Sequence, residues 1–499
     1  MRNKQISRGI FLSLISQLIG IGVGLAYTPV MIRILGQNEY GLYQLVQSTV
    51  NYLTLMNFGF NGAYIRYYAI AAAKHDEEEI ANINGMFHNI FLFLAGLVVL
   101  GGVVLYANIG ILGTNLTAAD YVVAKQLLVI MVINLALSMP NSLFVAYMSA
   151  NERFVAQKVV QIVTNVLIPL LNLPLLLWGY GSVGVVSVTL GLTVLRLVIN
   201  ILYCIKALHI KINFRFFNKT IFIDLLGFTF FIFLSDLVDQ LNSNVDKLLL
   251  GRMKGTIAVA IYSVAFNLKT QYTTMTWLIP EMYIPRVNKI AVEGTDQEQT
   301  QLFTKIGRVN HFIVVLIISG FILCGRAFMH LWVGEEYDIS YYATIILLLT
   351  GYIPAVQTLG VNIQNAKNKH RMRSLVYFCV AVVNVLASYF LIKRWGVVGT
   401  CIGTLFAVLA GNGIFMNIYY HKKLGLNVLY FWKEILKATP FLAVPIAFGL
   451  GMLKIMPIAS WSSLLLFAGC YTVVYCIALF FLALKKSERN AILSKFRRA

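Results

Sequence analysis

The sequence predicts an all-α, polytopic integral membrane protein. Three observations predict that class. Of the 499 residues, 59% are hydrophobic and only 12% are charged, the mean hydropathy is +0.76, and apolar runs of about 20 residues follow one another along the whole chain. A soluble domain would carry about 25% charged residues. We therefore expect a chain made of transmembrane helices.

Fourteen apolar runs define the predicted spans, which are numbered in chain order. A helix crosses the hydrocarbon core of a bilayer in about 20 residues. The spans cover residues 10 to 32, 41 to 65, 86 to 107, 122 to 147, 155 to 178, 182 to 205, 221 to 250, 256 to 284, 306 to 328, 340 to 363, 374 to 392, 397 to 420, 435 to 455 and 462 to 484. An even number of spans places both termini on one side of the membrane.

Basic residues are unevenly divided between the two sides of these spans. Of the 40 Lys and Arg residues, we assign 29 to the side of the termini and nine to the other side, and the remaining two, Arg196 and Lys269, lie near the middle of spans. Because basic loops stay on the cytoplasmic side of membranes, we expect both termini in the cytoplasm. The net charge of +20 then reflects topology and contact with anionic membrane lipid, and no nucleic-acid partner is expected.

The chain carries signs of an internal duplication. Gly181 and Gly184 at the start of span 6 recur 215 residues later as Gly396 and Gly399 at the start of span 12. The central prolines of spans 4 and 10, Pro140 and Pro354, are offset by 214. Two six-helix lobes of the same orientation would be related by an axis along the membrane normal, with a substrate site between them.

This duplication predicts three segments. Residues 1–212 form an N-lobe of spans 1 to 6, residues 213–425 form a C-lobe of spans 7 to 12, and residues 426–499 hold spans 13 and 14 with a basic cytoplasmic tail. The stretch 206–219 joins the lobes and mixes four basic residues with three phenylalanines. That mixture suits either the inner headgroup layer or a positively charged cytoplasmic linker, and both would tether two bodies that rock against each other.

Charged side chains inside the apolar spans indicate transport. A charge at the centre of a membrane helix costs about 2.5 to 3.5 kcal/mol on insertion scales, so such residues face a protein interior or a wet cavity and mark a path for ions or substrate. The charged residues within or at the ends of spans that we single out are Arg66, Arg196, Asp236, Asp239, Asp246 and Lys269.

Span 7 holds the predicted ion-coupling residues. Asp236, Asp239 and Asp246 fall at positions i, i+3 and i+10, which places them on one face of a helix. Carboxylates lined up in this way suit a proton relay or a Na⁺ site, because hard cations prefer oxygen ligands. The alternative interpretations are internal ion pairing, with Lys247 or with Lys269 of span 8, and a combination of ion coupling and ion pairing.

Span 8 holds the centre of the predicted substrate site. Lys269 lies in a polar stretch with Asn267 and Tyr272, so lipid cannot face that stretch. A fixed cation among amides and hydroxyls suits an anionic sugar phosphate. Arg66 and Arg196 would add cationic contacts, although Arg66 would also reach the cytoplasmic headgroups and Arg196 would also suit a pairing across the bundle.

The sequence lacks two motifs that are typical of ATP-using enzymes and of zinc proteases. It contains neither a G-x-x-x-x-G-K-[ST] phosphate loop nor an H-E-x-x-H pair, and no outer loop is long enough for a soluble catalytic domain. We therefore predict a secondary transporter that is not an enzyme and has no cofactor, apart from Na⁺ or H⁺ as a coupling ion.

The first two spans resemble a known family. The stretch TPVMIRILGQNEYGLY at 28–43, followed by Phe58-Gly59 and by YIRYY at 64–68, is similar to the opening of polysaccharide biosynthesis proteins, the Wzx-type oligosaccharide flippases. These belong to the superfamily that includes multidrug and toxin extruders and murein lipid flippases. The layout of six, six and two spans extends the resemblance to the whole chain.

The resemblance implies an alternating-access protein of the bacterial cytoplasmic membrane. Its expected substrate is an undecaprenyl-diphosphate-linked oligosaccharide, which is moved from the inner to the outer leaflet for capsule, exopolysaccharide or O-antigen synthesis. A polysaccharide polymerase and a chain-length regulator are expected as partners. Murein flippases line their cavity with cations on helices 1, 2 and 8, and Arg66 and Lys269 match that pattern. Span 1 has Gln17 and Tyr27 where arginine is expected, and we include Gln17 among the predicted substrate-binding residues.

Two other functions stay open from the sequence. A multidrug or cation antiporter of the same superfamily would use the acidic residues to hold a cationic drug. A membrane-embedded polysaccharide polymerase or ligase would need a catalytic outer loop.

Overall fold

The computed structural model describes residues 2–113, 116–367, 369–486 and 488–490. Within these ranges the chain forms seventeen α-helices with short 3-10 and π segments, and no β-strand. The chain divides into two compact units, Met1–Ser263 and Val264–Ala499. This boundary lies inside a helix, about 50 residues beyond the predicted join of the lobes, and the predicted duplication stays a prediction.

The first unit contains seven helices and the start of an eighth. Two 3-10 turns, Tyr52–Asn57 and Ile109–Leu112, follow the first and third helices. The helices are α1 (Arg2–Asn51), α2 (Phe60–Ala73), α3 (Glu77–Ala107), α4 (Ala118–Ala150), α5 (Phe154–Leu177), α6 (Gly181–Lys206), α7 (Lys219–Lys254) and α8 (Thr256–Met282), of which α8 continues into the second unit.

The second unit holds the remaining helices. A 3-10 turn covers Glu335–Tyr337 and another covers Pro440–Leu442, while π-helical segments cover Leu409–Phe415 and Leu479–Ala483. The helices are α9 (Ile284–Glu293), α10 (Asp296–Trp332), α11 (Asp338–Val356), α12 (Thr358–Ala366), α13 (His370–Val408), α14 (Met416–Leu424), α15 (Val428–Ala438), α16 (Ala443–Ile455) and α17 (Trp461–Ala478).

Ten helical runs of the described residues are long and apolar enough to cross a membrane, or eleven if the bent α7 is one span. The predicted all-α, multi-pass class is confirmed, but the count of fourteen is not. Two of the ten runs, Ile15–Ala73 with 59 residues and Leu375–Leu424 with 50, are more than twice the length that a bilayer needs. Each contains a glycine outside helical geometry, Gly36 and Gly396. The polar α8 is not among the ten.

The helix starts follow from capping residues in the sequence. At the start of α4, Thr117 accepts from the backbone N–H of Asp120, whose carboxylate accepts from the backbone N–H of Thr117. Thr295 and Glu298 form the same reciprocal pair at the start of α10. Such pairs satisfy N–H groups that have no partner within the helix.

The stretch 36–41 that carries the family resemblance is a joint in the first unit. Gly36 has φ 74°, a left-handed conformation that glycine adopts without strain, and α1 changes direction there. Asn38 then donates from Nδ2 to Oδ1 of Asp120 at 3.0 Å. The turn at Gly36 therefore brings the second half of α1 against the start of α4.

Two further residues of this joint contact other helices. The Oε1 atom of Glu39 accepts from the backbone N–H of Ser182 at 2.6 Å and from its hydroxyl at 2.7 Å, so Glu39 caps the N-terminus of α6. A Cβ on Gly41 would overlap the backbone carbonyl of Thr256 at the start of α8. The joint thus fastens α1 to α4, α6 and α8.

The stretch between α6 and α7 is fixed to α3. The buried Asn84 donates from Nδ2 to the carbonyl of Lys211 at 2.8 Å and accepts from the hydroxyl of Tyr64 at 2.6 Å. The backbone N–H of Asn213 donates to the carbonyl of Ala81 at 3.0 Å. A Cβ on residue 85 would overlap the Asn213 carbonyl. The predicted tether is therefore packed on the first unit over much of its length.

The second unit has an aromatic core around α10. Phe303 stacks on Phe431 of α15 with ring centroids 4.4 Å apart. Tyr471 of α17 donates to the hydroxyl of Ser319 at 2.7 Å, and Tyr475 donates to a backbone carbonyl of α10 at 2.6 Å. These buried hydroxyls have partners, so α17 is held on α10 by hydrogen bonds as well as by apolar contact.

Candidate functional site

A buried polar network joins α1 and α7 in the first unit. The Nζ atom of Lys247 donates to Oε1 of Gln44 at 3.2 Å. About two turns further along α1, the side-chain amide of Asn51 donates to Oδ1 of Asn244 on α7 at 3.4 Å. The side-chain amide of Asn244 in turn donates to Oε1 of Gln240 on the same helix at 2.5 Å. In hydrocarbon, such groups are stable only when each finds a partner, so this seam binds α7 to α1 by polar contacts.

The three acids of α7 lie in two different environments. Asp246 is only 1% exposed, and its Oδ2 accepts from the hydroxyl of Tyr262 on α8 at 2.9 Å. Asp236 and Asp239 are exposed on the surface of α7. The predicted line of carboxylates is therefore divided into an accessible pair and one acid that is closed off.

The first unit also encloses a polar cavity of about 120 Å³ between α1, α4 and α6. That volume holds several water molecules. The Oδ1 atom of Asn134, on its wall, is buried without a hydrogen-bond partner within the described part of the chain. Other polar groups on the wall are Tyr43, Gln47, Asn51, Thr54, Ser138 and Thr189. A hydrated cavity would satisfy these groups.

The remaining predicted residues of the first unit are Gln17, Arg66 and Arg196. Arg66 is exposed on α2 and Gln17 is half-buried on α1. Arg196 is half-buried on α6, and its Nε has no hydrogen-bond partner among the described residues. The interior side of α5 adds Asn172, which is fully buried and approaches the hydroxyl of Tyr27 without a well-formed hydrogen bond.

The second unit carries the polar stretch of α8. Lys269 is half-buried, and its Nζ lies 5.0 Å from the ring centre of Phe266, a distance at which a cation is attracted to an aromatic face. Asn267 accepts at Oδ1 from Nε2 of Gln271 at 3.3 Å. A cation and an amide thus lie one turn apart or less along the middle of α8.

Tyr272 lies deeper than the other predicted residues of α8. Its side chain is buried, and a Cβ on Gly351 of α11 would overlap its ring. Its hydroxyl has no hydrogen-bond partner in the described part of the chain. The ring of Tyr272 is therefore packed against α11 and closed off from solvent.

The predicted site residues belong to both units. Asn267, Lys269 and Tyr272 lie in the second unit, whereas Gln17, Arg66, Arg196, Asp236, Asp239 and Asp246 lie in the first. Their assignment to substrate binding and ion coupling stays a prediction.

The polar network between α1 and α7 was not predicted, although the spacing of amide residues in α1 indicates it. Gln44, Gln47 and Asn51 occupy positions i, i+3 and i+7 of an otherwise apolar span, which places three amides on one helix face. Amide side chains, like charged ones, are unfavourable in lipid unless they find hydrogen-bond partners.

An all-helical chain with many apolar spans and buried polar seams has the construction of a multi-pass membrane transport protein. The family model described as "Polysaccharide biosynthesis protein" matches residues 6–291, which is more than half of the chain. The chain therefore belongs to the family of polysaccharide biosynthesis proteins, and the resemblance found in spans 1 and 2 is confirmed.

Curated relatives agree with this family. The chain is 21% identical over 509 aligned positions to the "Uncharacterized membrane protein EpsK" of Bacillus subtilis, and the alignment covers 96% of each chain. It is 24% identical over 381 positions to the "Putative O-antigen transporter" of Shigella flexneri, covering 74% of this chain and 87% of that protein.

Solved structures share the fold. The lipid II flippase MurJ in an inward closed conformation matches with a TM-score of 0.73 at 14% identity, over 94% of this chain and 97% of MurJ. An inward-facing multidrug resistance MATE transporter matches with a TM-score of 0.65 at 13% identity, over 82% of this chain and 96% of that chain. At these identities the likeness concerns the fold alone.

Proposed function

We propose that this protein is a flippase for lipid-linked oligosaccharides. It would carry undecaprenyl-diphosphate-linked repeat units from the inner to the outer leaflet of the bacterial cytoplasmic membrane by alternating access, without catalysing a reaction. The family, the relative with an O-antigen transporter name and the flippase-like fold support this proposal. A polysaccharide polymerase and a chain-length regulator would then receive the exported units.

Lys269 is the observation that carries the proposal. It is a half-buried cation in the polar stretch of α8, the helix that also carries the amides of Asn267 and Gln271. A diphosphate offers several anionic oxygens to an ammonium, and the sugar hydroxyls suit neutral amides and hydroxyls. A cationic drug would be repelled by Lys269, so this residue favours an anionic substrate over the substrates of a multidrug antiporter.

The membrane potential would drive the proposed direction. Moving one elementary charge across 100 mV is worth about 2.3 kcal/mol. A diphosphate with two negative charges would gain about 4 to 5 kcal/mol on moving outward across an inside-negative membrane of that potential. The basic bias of the loops supports cytoplasmic termini, which fits uptake of the substrate from the inner leaflet.

Ion coupling would use the accessible acids of α7. Asp236 and Asp239 are exposed and would bind H⁺ or Na⁺ directly. Asp246 would exchange an ion only after the hydroxyl of Tyr262 moves away from its carboxylate. The proposed coupling therefore assigns Asp236 and Asp239 to the first step.

The substrate assignment is tested with Lys269→Gln in proteoliposomes. The reconstituted chain is supplied with lipid-linked oligosaccharide, and exposed sugar is measured with an impermeant glycosidase. A charge-assisted hydrogen bond contributes about 1.5 to 3 kcal/mol, so we expect flipping to slow by about 10- to 150-fold. Lys289→Gln is the matched control, because Lys289 is exposed and pairs with Glu293 on its own helix.

Three outcomes would contradict the assignment. Equal rates for wild type and Lys269→Gln would remove Lys269 from the substrate site. An equal loss in Lys289→Gln would show that total charge matters rather than the site. Drug resistance on expression, with no loss of surface polysaccharide on deletion, would favour the multidrug antiporter.

The coupling is tested with Asp236→Asn and Asp239→Asn under imposed H⁺ and Na⁺ gradients. We expect the rate of the wild-type protein to follow one of the two gradients and the double variant to lose that dependence. Flipping that responds to the gradient equally in both proteins would exclude these acids.

A further inference from the structure

A second polar pocket lies in the second unit, at the end of α10 that begins with Asp296. Its volume is about 510 Å³, and it is open to the exterior of the unit. The walls come from α10, from α15 and from the segment that follows α17. None of the residues discussed for the proposed transport function lines it.

A buried arginine forms the polar wall of this pocket. Arg308 is 4% exposed, and its Nη2 donates to the carbonyl of Ala483 at 3.2 Å and to Oε2 of Glu488 at 3.3 Å. Its Nη1 lies 3.7 Å from Oε2 of Glu434. Its Nε is buried with no hydrogen-bond partner among the described residues, so the guanidinium retains a donor that a bound anion would satisfy.

Other groups make the pocket cationic. Thr304 is 5% exposed, lines the pocket, and has a hydroxyl without a hydrogen-bond partner in the described part of the chain. Lys305 is exposed at the rim, and Lys485 lies opposite on the segment after α17. Within the described residues, Arg308, Lys305 and Lys485 meet two carboxylates, because Glu434 pairs with Lys485 at 2.5 Å and Glu488 pairs with Arg308. One positive charge is left in excess, and Lys305 supplies it at the rim.

The remaining wall is apolar and adjoins exposed apolar side chains of α15. Val309, Phe312 and Leu484 line the same pocket as the charged groups. The neighbouring α15 presents Leu429 and Leu436 as exposed side chains, as a helix at the membrane interface does. A free phosphate would use the cationic rim alone, whereas a phospholipid would fill both walls.

We propose that this pocket binds the phosphate headgroup of an anionic membrane phospholipid. The phosphate oxygens accept from Arg308, Lys305 and Thr304, and the start of the acyl chains covers the apolar wall. The carboxylate of Glu488 already accepts a hydrogen bond from the Arg308 guanidinium, so the lipid phosphate and Glu488 compete for Arg308. Binding of the lipid therefore releases the segment that follows α17. The site is independent of the proposed cargo.

Native mass spectrometry of the purified, delipidated full chain tests this proposal. The chain is titrated with phosphatidylglycerol and separately with phosphatidylcholine, and inorganic phosphate is added in large excess in a third series. We expect tighter binding of the first phosphatidylglycerol than of phosphatidylcholine, and no displacement by phosphate alone. A basic residue near an anionic lipid contributes about 1 kcal/mol, so Lys305→Gln should weaken phosphatidylglycerol binding about fivefold.

Two further variants complete the test. Glu488→Gln should strengthen binding, because it removes the competing carboxylate, whereas Lys289→Gln should leave binding unchanged. Lys305 is used rather than the buried Arg308 because an exposed side chain is removed without disturbing the fold. Equal binding of the two lipids, or equal weakening by Lys305→Gln and Lys289→Gln, would overturn the proposal. Displacement by inorganic phosphate alone would assign the pocket to free phosphate and overturn the lipid assignment.

Discussion

Replacing Asn84 by leucine should release the stretch between α6 and α7 from α3. Asn84 is buried and bridges the hydroxyl of Tyr64 and the carbonyl of Lys211. Leucine has nearly the same shape but neither donor nor acceptor. The variant therefore leaves two polar groups without partners while the apolar packing is retained.

The size of the effect follows from those two hydrogen bonds. A hydrogen bond contributes about 1 kcal/mol net, and a buried group left without its partner costs about 1 to 3 kcal/mol. We expect local opening of residues 207–218 to become easier by about 2 to 3 kcal/mol, which is about 30- to 150-fold faster amide exchange in the fast-closing regime. Hydrogen–deuterium exchange with mass spectrometry measures this on peptides that cover the stretch, including the amide of Asn213, which donates to Ala81.

The control lies on the same helix. Asn108, the C-cap residue at the other end of α3, donates from its side chain to the nearby carbonyl of Val104, so Asn108→Ala should leave exchange of residues 207–218 unchanged. Unchanged exchange in Asn84→Leu would refute the reasoning, because the stretch would then be held by other contacts. Faster exchange over the whole chain would show a global loss of stability rather than local release.

Three further variants test individual contacts by thermal unfolding of the purified protein in detergent. Gly41→Ala should destabilise the first unit by about 1 to 3 kcal/mol, because the new methyl group overlaps the carbonyl of Thr256; an unchanged midpoint would contradict the close approach. Glu39→Gln should cost about 1 kcal/mol by weakening the cap on Ser182, and Glu39→Ala should cost more. Tyr471→Phe should cost about 0.5 to 1.5 kcal/mol, since its hydroxyl donates to a buried serine of α10, and a gain in stability would refute that contact.

The class of fold was predictable because apolar runs long enough to span a membrane can be read directly from the sequence. Every described apolar run forms a helix, since backbone groups in lipid must bond within their own segment. The number of spans was harder to obtain. At Gly36 and Gly396 the helices turn without a loop, and in α8 the polar stretch around Lys269 interrupts the hydrophobic signal. A count by apolar length alone is ambiguous at each of these places.

The site was predictable in its residue types and less so in its contacts. Spacing placed Asp236, Asp239 and Asp246 on one face of α7, but it did not show that the hydroxyl of Tyr262 donates to Asp246. Which neighbour a face meets depends on contacts distant in the sequence. Periodicity describes one helix at a time, so the seam between Gln44 and Lys247 could not be read from either helix alone.

The joint at residues 36–41 has a practical consequence for changing cargo preference. Within the described contacts, Asn38 is hydrogen-bonded to Asp120 and Glu39 to Ser182, and Gly41 packs closely against Thr256. The residues by which the family is recognised are therefore engaged in holding helices together. A library intended to alter sugar selectivity should leave this stretch intact and randomise positions of α8 instead. Variants selected from such a library would then report on recognition of the sugar rather than on folding.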